Sequence, residues 1–287
     1  MESIGWIVEN YSNGQAFIRK IPFLGSVIKV QQPNLPIPLN ELDKIAKKHH
    51  AVFLKLEPFA QPDTEIAQEI IKGGYKPDNF PLIPTKTIKI NLLPTSDILF
   101  SNLEKDTRNC VRKTIKNELK VLNSIIDTQT VSNEIFVDAW QKNAKEKKFA
   151  GAQNKEIANL YTSFQSNHNS ALIFVTDSQN NPLAGSLLLY SPQSKTTHYM
   201  HAFSTQEGRK SYAPYRLVWE SILFAKNNWI SDWFDLEGVH DPRYPKSTSQ
   251  WKGFTHFKKG FGGTEFDYIG SFTKYYNPLF KLLSNLE

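Results

Sequence analysis

The sequence predicts an α+β (mixed α/β) fold in which mostly antiparallel sheets are flanked by helices. Short runs of β-branched and aromatic residues, separated by Asn-Gly, Gly and Pro turn signals, predict strands along most of the chain. Segments with apolar residues at helical spacing lie between these runs, and this interleaving is typical of sheets covered by helices. With 287 residues, 40% of them hydrophobic, the chain can bury a large core, and its length predicts two domains.

Residues 1–84 are predicted to form a first domain that opens in a sheet. Gly73-Gly74 is the expected end of its last helix, and the proline-rich segment Tyr75–Pro84 is the expected domain connection. The predicted elements are strands at Trp6–Val8, Gln15–Lys20 and Gly25–Val30, a helix at Leu39–His49 with Asn40 as its candidate cap, a strand at Val52–Leu56 and a helix at Ile66–Lys72.

Residues 85–272 are predicted to form a second domain with the same alternation of strands and helices. Its first helix is expected to run without a break from Asp97 to about Leu119, behind Thr95 or Ser96 as the cap. The other predicted elements are strands at Thr85–Leu92, Ala171–Thr176, Pro182–Tyr190, Thr196–Ala202 and Trp233–Leu236, and helices at Asn133–Glu146, Lys155–Ser166 and Tyr215–Asn227.

Charge and cysteine content limit the classes of partner and site. The formal net charge of +6 and the pI near 9.1 favour a polyanionic partner, and RNA, phosphorylated metabolites and anionic lipid surfaces all satisfy that condition. The single cysteine, Cys110, excludes an internal disulfide framework and is interpreted as a packing thiol. With no long apolar run and no signal-peptide pattern near Met1, we expect a cytoplasmic protein without an integral membrane segment.

Several common catalytic motifs do not occur in the sequence. Phosphate-binding Gly-x-x-x-x-Gly-Lys-Ser/Thr, dinucleotide-binding Gly-x-Gly-x-x-Gly, His-Glu-x-x-His and Gly-x-Ser-x-Gly patterns are all missing. His198 and His201 stand three residues apart in a predicted strand, so a regular strand would direct them to opposite faces. The sequence therefore predicts no metal site and no cofactor.

The segment Trp251–Phe272 concentrates the residues that are most suited to chemistry. Lysines alternate there with phenylalanines, and glycines allow close backbone approach. An ammonium group that aromatic rings partly desolvate attracts an anion more strongly than a solvated one does. The alternative is a strand, a turn and a strand with solvated lysines. The residues concerned are Lys252, Phe254, Phe257, Lys258, Lys259 and Phe261.

Two other clusters are candidates for binding. Basic residues at spacings of three and four, among them Arg108 and Arg112, predict a phosphate-contacting face on the 97–119 helix, or else a solvated helix face. Tyr212 and Tyr215 flank Pro214 in the turn where an acyl-CoA enzyme would hold the pyrophosphate. The bulk of Tyr212 and the missing N–H of Pro214 argue against CoA there, and the tyrosines are either ligand contacts or core residues.

The chain resembles the FemABX-type peptidyltransferases, which transfer aminoacyl groups from tRNA to the stem peptide of peptidoglycan precursors. The resemblance depends on motifs in the same order and at similar spacing over the last third of the chain, with two more upstream. These motifs are Tyr212-Ala213-Pro214-Tyr215, Phe234–Val239, Phe257–Gly263 and Asp267–Phe272, with Phe53–Pro58 and Thr107–Lys113 upstream. The resemblance implies two acetyltransferase-like (GNAT-like) domains, and a C-terminal helix, 273–287, that returns to the first.

The resemblance also implies a reaction and a set of site residues. A stem-peptide amine attacks the ester between an amino acid and the 3′ end of tRNA, without a cofactor. Lys258 would stabilise the oxyanion and Phe257 would shape the pocket of the terminal adenosine. The implied substrate contacts are Tyr212, Tyr215, Glu57, Arg108, Arg112 and Lys259. The implied partners are aminoacyl-tRNA and a UDP-linked or lipid-linked stem-peptide precursor, and the lipid-linked form allows a peripheral membrane contact.

Departures from the family pattern leave two other hypotheses. The family's initial Gln-Ser-x-x-Trp type motif is not found, and the region Phe149–Glu156, where relatives often carry an arginine, offers only Lys155. One alternative is therefore an acyltransferase of related fold with another donor, such as acyl-CoA. The other is a truncated, non-catalytic protein that binds precursor or RNA.

Overall fold

The chain divides into two compact units, each built around one sheet. A computed structural model describes residues 1–2, 5–147 and 154–283. The first unit comprises Met1–Thr87, Gly238–Lys252 and the described residues from Phe266 onward. The second unit comprises Ile88–Glu237 and Gly253–Glu265. Residues 148–153, which overlap the region considered for a substrate arginine, and 284–287 lie outside the described residues. The helix implied for 273–287 begins later, because Ser271–Tyr275 forms a strand and the helix begins at Pro278.

The elements are numbered in chain order. The strands are β1 Ile7–Tyr11, β2 Gly14–Ile21, β3 Gly25–Gln31, β4 Ala51–Glu57, β5 Lys76–Asp78, β6 Lys86–Asn91, β7 Lys120–Asn123, β8 Ser170–Thr176, β9 Pro182–Ser191, β10 Thr196–Ser204, β11 Trp233–Gly238, β12 Thr264–Asp267 and β13 Ser271–Tyr275. The helices are α1 Leu39–Lys48, α2 Thr64–Lys72, α3 Ser96–Ser101, α4 Lys105–Lys116, α5 Asn133–Glu146, α6 Asn154–Gln165, α7 Gln206–Lys210, α8 Ala213–Asn228, α9 Pro245–Thr248, α10 Lys252–Lys259 and α11 Pro278–Leu283.

The first sheet is mixed and has the strand order β1-β2-β3-β4-β13-β5. Its ladders are antiparallel apart from the parallel pair β3 and β4. Alternation along the strands directs Ile18, Ile28 and Leu54 to the face that α1 and α2 cover, where Leu42 and Ile70 complete the core. Asp63 begins α2 because its carboxylate accepts the backbone N–H groups of the first turn.

The second sheet is also mixed and has the strand order β12-β6-β11-β10-β9-β8-β7. Strands β10 and β11 run parallel, whereas β7 to β10 form an antiparallel meander. Leu187 faces a core with α5 and α6. Its neighbour Ser186 faces the other way and hydrogen-bonds Ser221 of α8, at 3.1 Å between the hydroxyl oxygens. This helix-flanked arrangement of two mixed sheets confirms the predicted fold class.

The unbroken helix predicted from Asp97 to about Leu119 is wrong, because the structure has two helices there. Thr95 caps α3 as predicted, with its hydroxyl accepting the Ile98 N–H, but the helix ends at Ser101. The Glu104 N–H donates to the Gly260 carbonyl at 2.9 Å. The Arg108 guanidinium donates to the carbonyls of Ser101 and Leu103. Tertiary partners thus replace the intrahelical hydrogen bonds that local spacing predicts.

Two further local predictions are corrected by the structure. Helix α1 has Pro38 at its N-cap and no side-chain cap, so Asn40 is inside the helix. The strand, turn and strand alternative for Trp251–Phe272 is wrong in its first part, since Lys252–Lys259 is α10 and strands begin only at Thr264. Phe254, Phe257 and Phe261 are spaced by three and four, a helical period that the alternation with lysine obscures.

The remaining strands and helices predicted for the described residues are confirmed, with bounds that differ by a few residues. Along those same residues, no helix combines the length and apolarity needed to cross a membrane.

Candidate active site

Helix α10 carries Lys258 and is held close to the start of α4. The turn after α10 passes the Thr107 side chain so closely that a Cβ at Gly260 would lie 2.3 Å from the Thr107 hydroxyl oxygen. Any larger residue would displace one of the two segments. The Gly260 carbonyl also accepts the Glu104 N–H. Both contacts fix the position of the last turn of α10 relative to the start of α4.

The ammonium group of Lys258 is desolvated but not isolated. Its Nζ donates to the Glu237 backbone carbonyl at 3.4 Å and lies 5.0 Å from the centroid of the Phe254 ring. Desolvation lowers the pKa of Lys258 to about 8, against the opposing pull of the Glu237 and Asp235 carboxylates. The charge of Lys258 is therefore stabilised by protein groups, namely the Glu237 carbonyl and the nearby carboxylates, in place of water.

A network of carboxylates and histidine lies on the adjoining strands. Because β10 and β11 pair in register, His198 stands opposite Asp235, and Glu237 follows on the same face. His198 Nδ1 and Glu237 Oε1 are 2.7 Å apart, and Lys89 Nζ lies 3.8 Å from Asp235 Oδ2. Desolvation alone would lower the pKa of His198, but the hydrogen bond and charge of Glu237 raise it. The network thus favours a protonated, positively charged His198.

Glu237 adopts an unusual backbone conformation where β11 ends. Its φ of 61° lies in the left-handed region, which a residue with a Cβ rarely occupies. Its side chain reaches His198 while its carbonyl accepts the Lys258 ammonium. Backbone strain of this kind persists only where the surroundings fix it, and it concentrates at functional sites.

A β-bulge changes the expected relation between the two histidines. Met200 is extra in the β9 and β10 ladder, so His198 pairs with Leu189 and His201 pairs with Leu187. Since those leucines are two residues apart, both histidines share one face, contrary to the prediction for a regular strand. Desolvation lowers the pKa of His201, although Glu237 and Glu156 oppose that effect.

The three groups His198, Asp235 and Glu237 could in principle ligate a metal ion, because their ligand atoms all lie within 4.8 Å of one another. The same carboxylates, however, already interact with cations of the chain: Lys89 is next to Asp235, and Lys258 and His198 interact with Glu237. A divalent ion would have to enter against these positive charges. We therefore interpret the cluster as a network that positions Lys258.

An aromatic cluster forms the other side of the Lys258 segment. The rings of Tyr215 and Phe257 meet edge to face at 5.0 Å, and Phe261 lies 5.2 Å from Phe257. Tyr212 adjoins Tyr215 at 6.3 Å, and burial raises the pKa of Tyr215. The structure thus brings Tyr212, Tyr215 and Phe257 together, whereas their role with a ligand stays a prediction.

The cations predicted on the 97–119 segment are mostly engaged with the fold. Arg112 lies over Phe100 at 5.4 Å and Lys113 over the ring of Tyr212 at 5.0 Å. Arg108 donates to the carbonyls of Ser101 and Leu103, and Lys259 forms a 2.6 Å ion pair with Glu265 on the surface. None of these contacts uses all the donors of the side chain, so substrate contacts by these residues stay predictions.

Glu57 belongs to the first unit and is 2% exposed. Its Oε1 accepts the backbone N–H groups of Leu82 and Ile83 at 2.5 and 3.3 Å, and its Oε2 accepts the Gln31 amide at 3.3 Å. Desolvation raises the pKa of Glu57, and these hydrogen bonds oppose the rise. The carboxylate thereby holds the 82–83 backbone, and its predicted substrate role stays untested.

Sequence reasoning anticipated Lys258 and its aromatic neighbours but missed the network next to it. Asp235 and Glu237 lie in the motif Phe234–Val239, which by itself assigns them no role. Their spacing of two in a strand could have placed them on one face. No sequence signal revealed the bulge that brings His201 to the same face.

Comparisons with known proteins identify a matching family and several solved structures with a similar fold. The model of the FemAB family matches residues 128–287. Among solved structures, FemX aligns with a TM-score of 0.80 and 16% identity over 98% of this chain and 91% of that one. A lysylphosphatidylglycerol synthetase candidate from Agrobacterium fabrum, represented by its C-terminal domain, aligns with a TM-score of 0.62 and 10% identity, over 99% and 88% of the two chains.

A tandem GNAT protein from the clavulanic acid biosynthesis pathway aligns with a TM-score of 0.56 and 9% identity over 96% and 84% of the two chains. At these identities the structural matches establish the fold alone. A search of curated proteins gives no sequence match.

Proposed function

The chain belongs to the FemAB family, and from that membership we propose that it transfers an aminoacyl group from aminoacyl-tRNA to the stem-peptide amine of a peptidoglycan precursor. The observation that carries the proposal is the desolvated ammonium of Lys258, held between the Glu237 carbonyl and the Phe254 ring. A preorganised cation of this kind suits a reaction in which negative charge develops on oxygen.

The proposed reaction is an acyl transfer in two stages. The stem-peptide amine attacks the ester carbonyl that joins the amino acid to the terminal ribose, and a tetrahedral intermediate with an oxyanion forms. Lys258 donates a charge-assisted hydrogen bond to that oxygen. Collapse of the intermediate breaks the ester C–O bond, the attacking nitrogen loses a proton to leave a neutral amide, and the ribose oxygen takes up a proton. The ester is already activated, so the proposal needs no cofactor.

The low pKa of Lys258 suits this role. At pH 7 a group with a pKa of about 8 is still roughly nine-tenths protonated. Because its ammonium is poorly hydrated, little water must leave before it binds the oxyanion. Phe257 would shape the pocket for the terminal adenosine, against which aromatic rings stack.

The remaining candidates are proposed as binding groups. Tyr212 and Tyr215 would contact the precursor, with Glu57 as a weaker candidate. The cations Arg108, Arg112 and Lys259 would interact with phosphates of the donor or precursor. The precursor would be UDP-linked or lipid-linked.

An acyl-CoA donor is the competing possibility. Helix α8 begins at Tyr212, whose φ is 63°, and it has Pro214 in its first turn. That start lacks one of the backbone N–H donors that a pyrophosphate would use. We therefore prefer the tRNA donor, and the experiment below includes both.

The test is transfer of a radiolabelled aminoacyl group from a mixed pool of charged tRNAs to UDP-linked and lipid-linked stem peptides. Acetyl-CoA serves as the donor in a parallel reaction. We expect transfer from tRNA, reduced about 100-fold or more in Lys258→Ala, as for loss of an oxyanion-hole donor. Lys252→Ala is the matched control, because this lysine lies on the same helix, is exposed and is not among the proposed contacts.

Transfer from acetyl-CoA but not from tRNA would replace the proposal with the competing one. A folded wild-type protein that transfers neither group would contradict both.

A further inference from the structure

The turn between β2 and β3 presents large apolar side chains to solvent. Phe23 is 107% exposed relative to its reference state and Leu24 is 51% exposed. Phe23 has a φ of 65°, in a region that bulky residues seldom adopt. A Phe in this conformation with its ring in water contributes nothing visible to the stability of the fold.

The core of the first unit does not need these two residues. Ile18 of β2 and Ile28 of β3 are buried on the face that the helices cover. The turn extends beyond the ladder, whose last pair is Ile21 with Gly25. The apolar tip is therefore an addition to a sheet that is already packed.

Basic and aromatic residues lie on the strands just behind the tip. Arg19 and Lys20 are exposed on β2. Arg19 and Lys29 lie 5.8 and 4.6 Å from the ring centroid of Trp6, and Lys29 also lies 5.7 Å from that of Phe17. The ladder pairs Phe17 with Lys29, so Phe17, Arg19 and Lys29 share the face opposite the core, whereas Lys20 lies on the other face of β2. The hairpin thus has an apolar tip followed by cations, with Trp6 contributed by the chain just before the neighbouring strand β1.

We propose that this hairpin docks the protein on an anionic lipid bilayer, with Phe23 and Leu24 inserted among the headgroups and Arg19 and Lys20 close to the lipid phosphates. At about 3.3 Å per residue, Arg19 lies roughly 13 Å behind Phe23 along the strand. The interfacial layer of a bilayer is about 5 to 8 Å thick on each side, and the Debye length is about 8 Å. The cations therefore fall within reach of the surface charge when the tip is inserted.

A bilayer fits this hairpin better than an RNA does. The exposed Phe23 ring suits either a stacked base or a lipid, but the Trp6 and Phe17 rings, which would extend a stacking surface for RNA, already have cations over them. Leu24 has no ring to stack, whereas lipid accepts Leu and Phe equally. The inference goes beyond the transferase reaction and does not depend on it.

The experiment is sedimentation of the full chain with vesicles of equal parts phosphatidylcholine and phosphatidylglycerol. We expect Phe23→Ser with Leu24→Ser to lower the partition coefficient about ten-fold or more. The matched control is Ile125→Ser with Ile126→Ser, since these residues are 51% and 75% exposed in the second unit; it should bind like wild type. Arg19→Gln with Lys20→Gln should weaken binding to the vesicles and should make that binding less dependent on salt.

Because Phe23 and Leu24 project into solvent, the serine variant should unfold at the temperature of wild type, which separates lost docking from lost folding. The proposal is overturned if wild type does not sediment with these vesicles. It is also overturned if the two serine pairs bind alike, or if the hairpin pair instead lowers retention of tRNA in a filter assay while vesicle binding is unchanged. A failed aminoacyl-transfer assay would leave the vesicle result as it stands.

Discussion

Two groups of cations in the second unit differ in how the protein holds them. Lys258 is a single ammonium that burial desolvates, with its pKa lowered to about 8. The cations of α4, including Arg112 and Lys116, are exposed on the helix surface, where water hydrates them. The same charge thus has two environments, one suited to stabilising a localised charge and one suited to attracting a polyanion from solution.

The difference follows from what surrounds each side chain. Lys258 lies in the last turn of a helix that is followed by the contact of Gly260 with α4, and the strand end at Glu237 supplies its hydrogen-bond acceptor. The α4 cations have ring contacts with Phe100 and Tyr212 but no such enclosure. We expect the rate of acyl transfer to depend on Lys258, and the affinity for a polyanion to depend on the cations of α4.

The largest expected effect separates chemistry from folding at Lys258. Lys258→Met keeps the length of the side chain and removes its charge, so transfer should fall about 100-fold or more. The midpoint of thermal unfolding should stay unchanged or rise, because a desolvated charge is removed. Lys113→Met, on α4, should change transfer by less than about ten-fold. Equal losses in the two variants would contradict the distinction between the two groups of cations.

The pH dependence of transfer should report on the Lys258 ammonium. The protonated form is the active one, so the rate should fall as pH rises through about 8, by about ten-fold for each unit beyond. In Lys258→Arg the cation stays protonated, and this alkaline limb should disappear even if the rate is lower. Single-turnover rates, corrected for hydrolysis of the aminoacyl ester, measure the effect. A limb that persists in the Arg variant would assign it to another group.

Glu237→Gln tests the network that holds Lys258. The Glu237 charge raises the pKa of Lys258, so its removal should move the alkaline limb to lower pH. The rate at neutral pH should fall several-fold, less than in Lys258→Met, because the ammonium and the backbone acceptor are kept. Glu265→Gln, which alters the surface partner of Lys259, is the control. An unshifted pH profile in Glu237→Gln would indicate a purely structural role for the pair.

The smallest expected effect concerns the exposed cations of α4. Arg112→Gln with Lys116→Gln should weaken tRNA binding a few-fold at physiological salt. The slope of log affinity against log salt should fall by roughly 0.7 to 0.9 for each cation removed. Lys142→Gln with Lys145→Gln on α5 changes the net charge equally and tests whether position matters. Identical slopes for the two pairs would assign the effect to net charge alone.

Most of the fold could be predicted from local patterns. Strand β8 is a continuous apolar run followed by the Asn180-Asn181 turn, and helix α5 has apolar residues at helical spacing behind the Ser132 cap. The break between α3 and α4 could not be predicted, because the groups that end and restart the helix are the Gly260 carbonyl and the Arg108 side chain.

The candidate site divides in the same way. Lysines among phenylalanines marked Trp251–Phe272 as the segment of interest, whereas the resemblance to the family motifs singled out Lys258 within it. The pairing of His198 with Glu237 joins residues 39 positions apart in the chain. The bulge at Met200 turns the second histidine to the same face. Neither feature has a local signal.

The sequence by itself determined the fold class and the order of most elements, and its resemblance to the family predicted Lys258 as the candidate for oxyanion stabilisation. These properties depend on side-chain type and spacing, which are local. Tertiary structure alone decided which lysine is desolvated by burial and which carboxylates lie near it. Desolvation and charge coupling depend on distances in space between segments that are far apart in the chain.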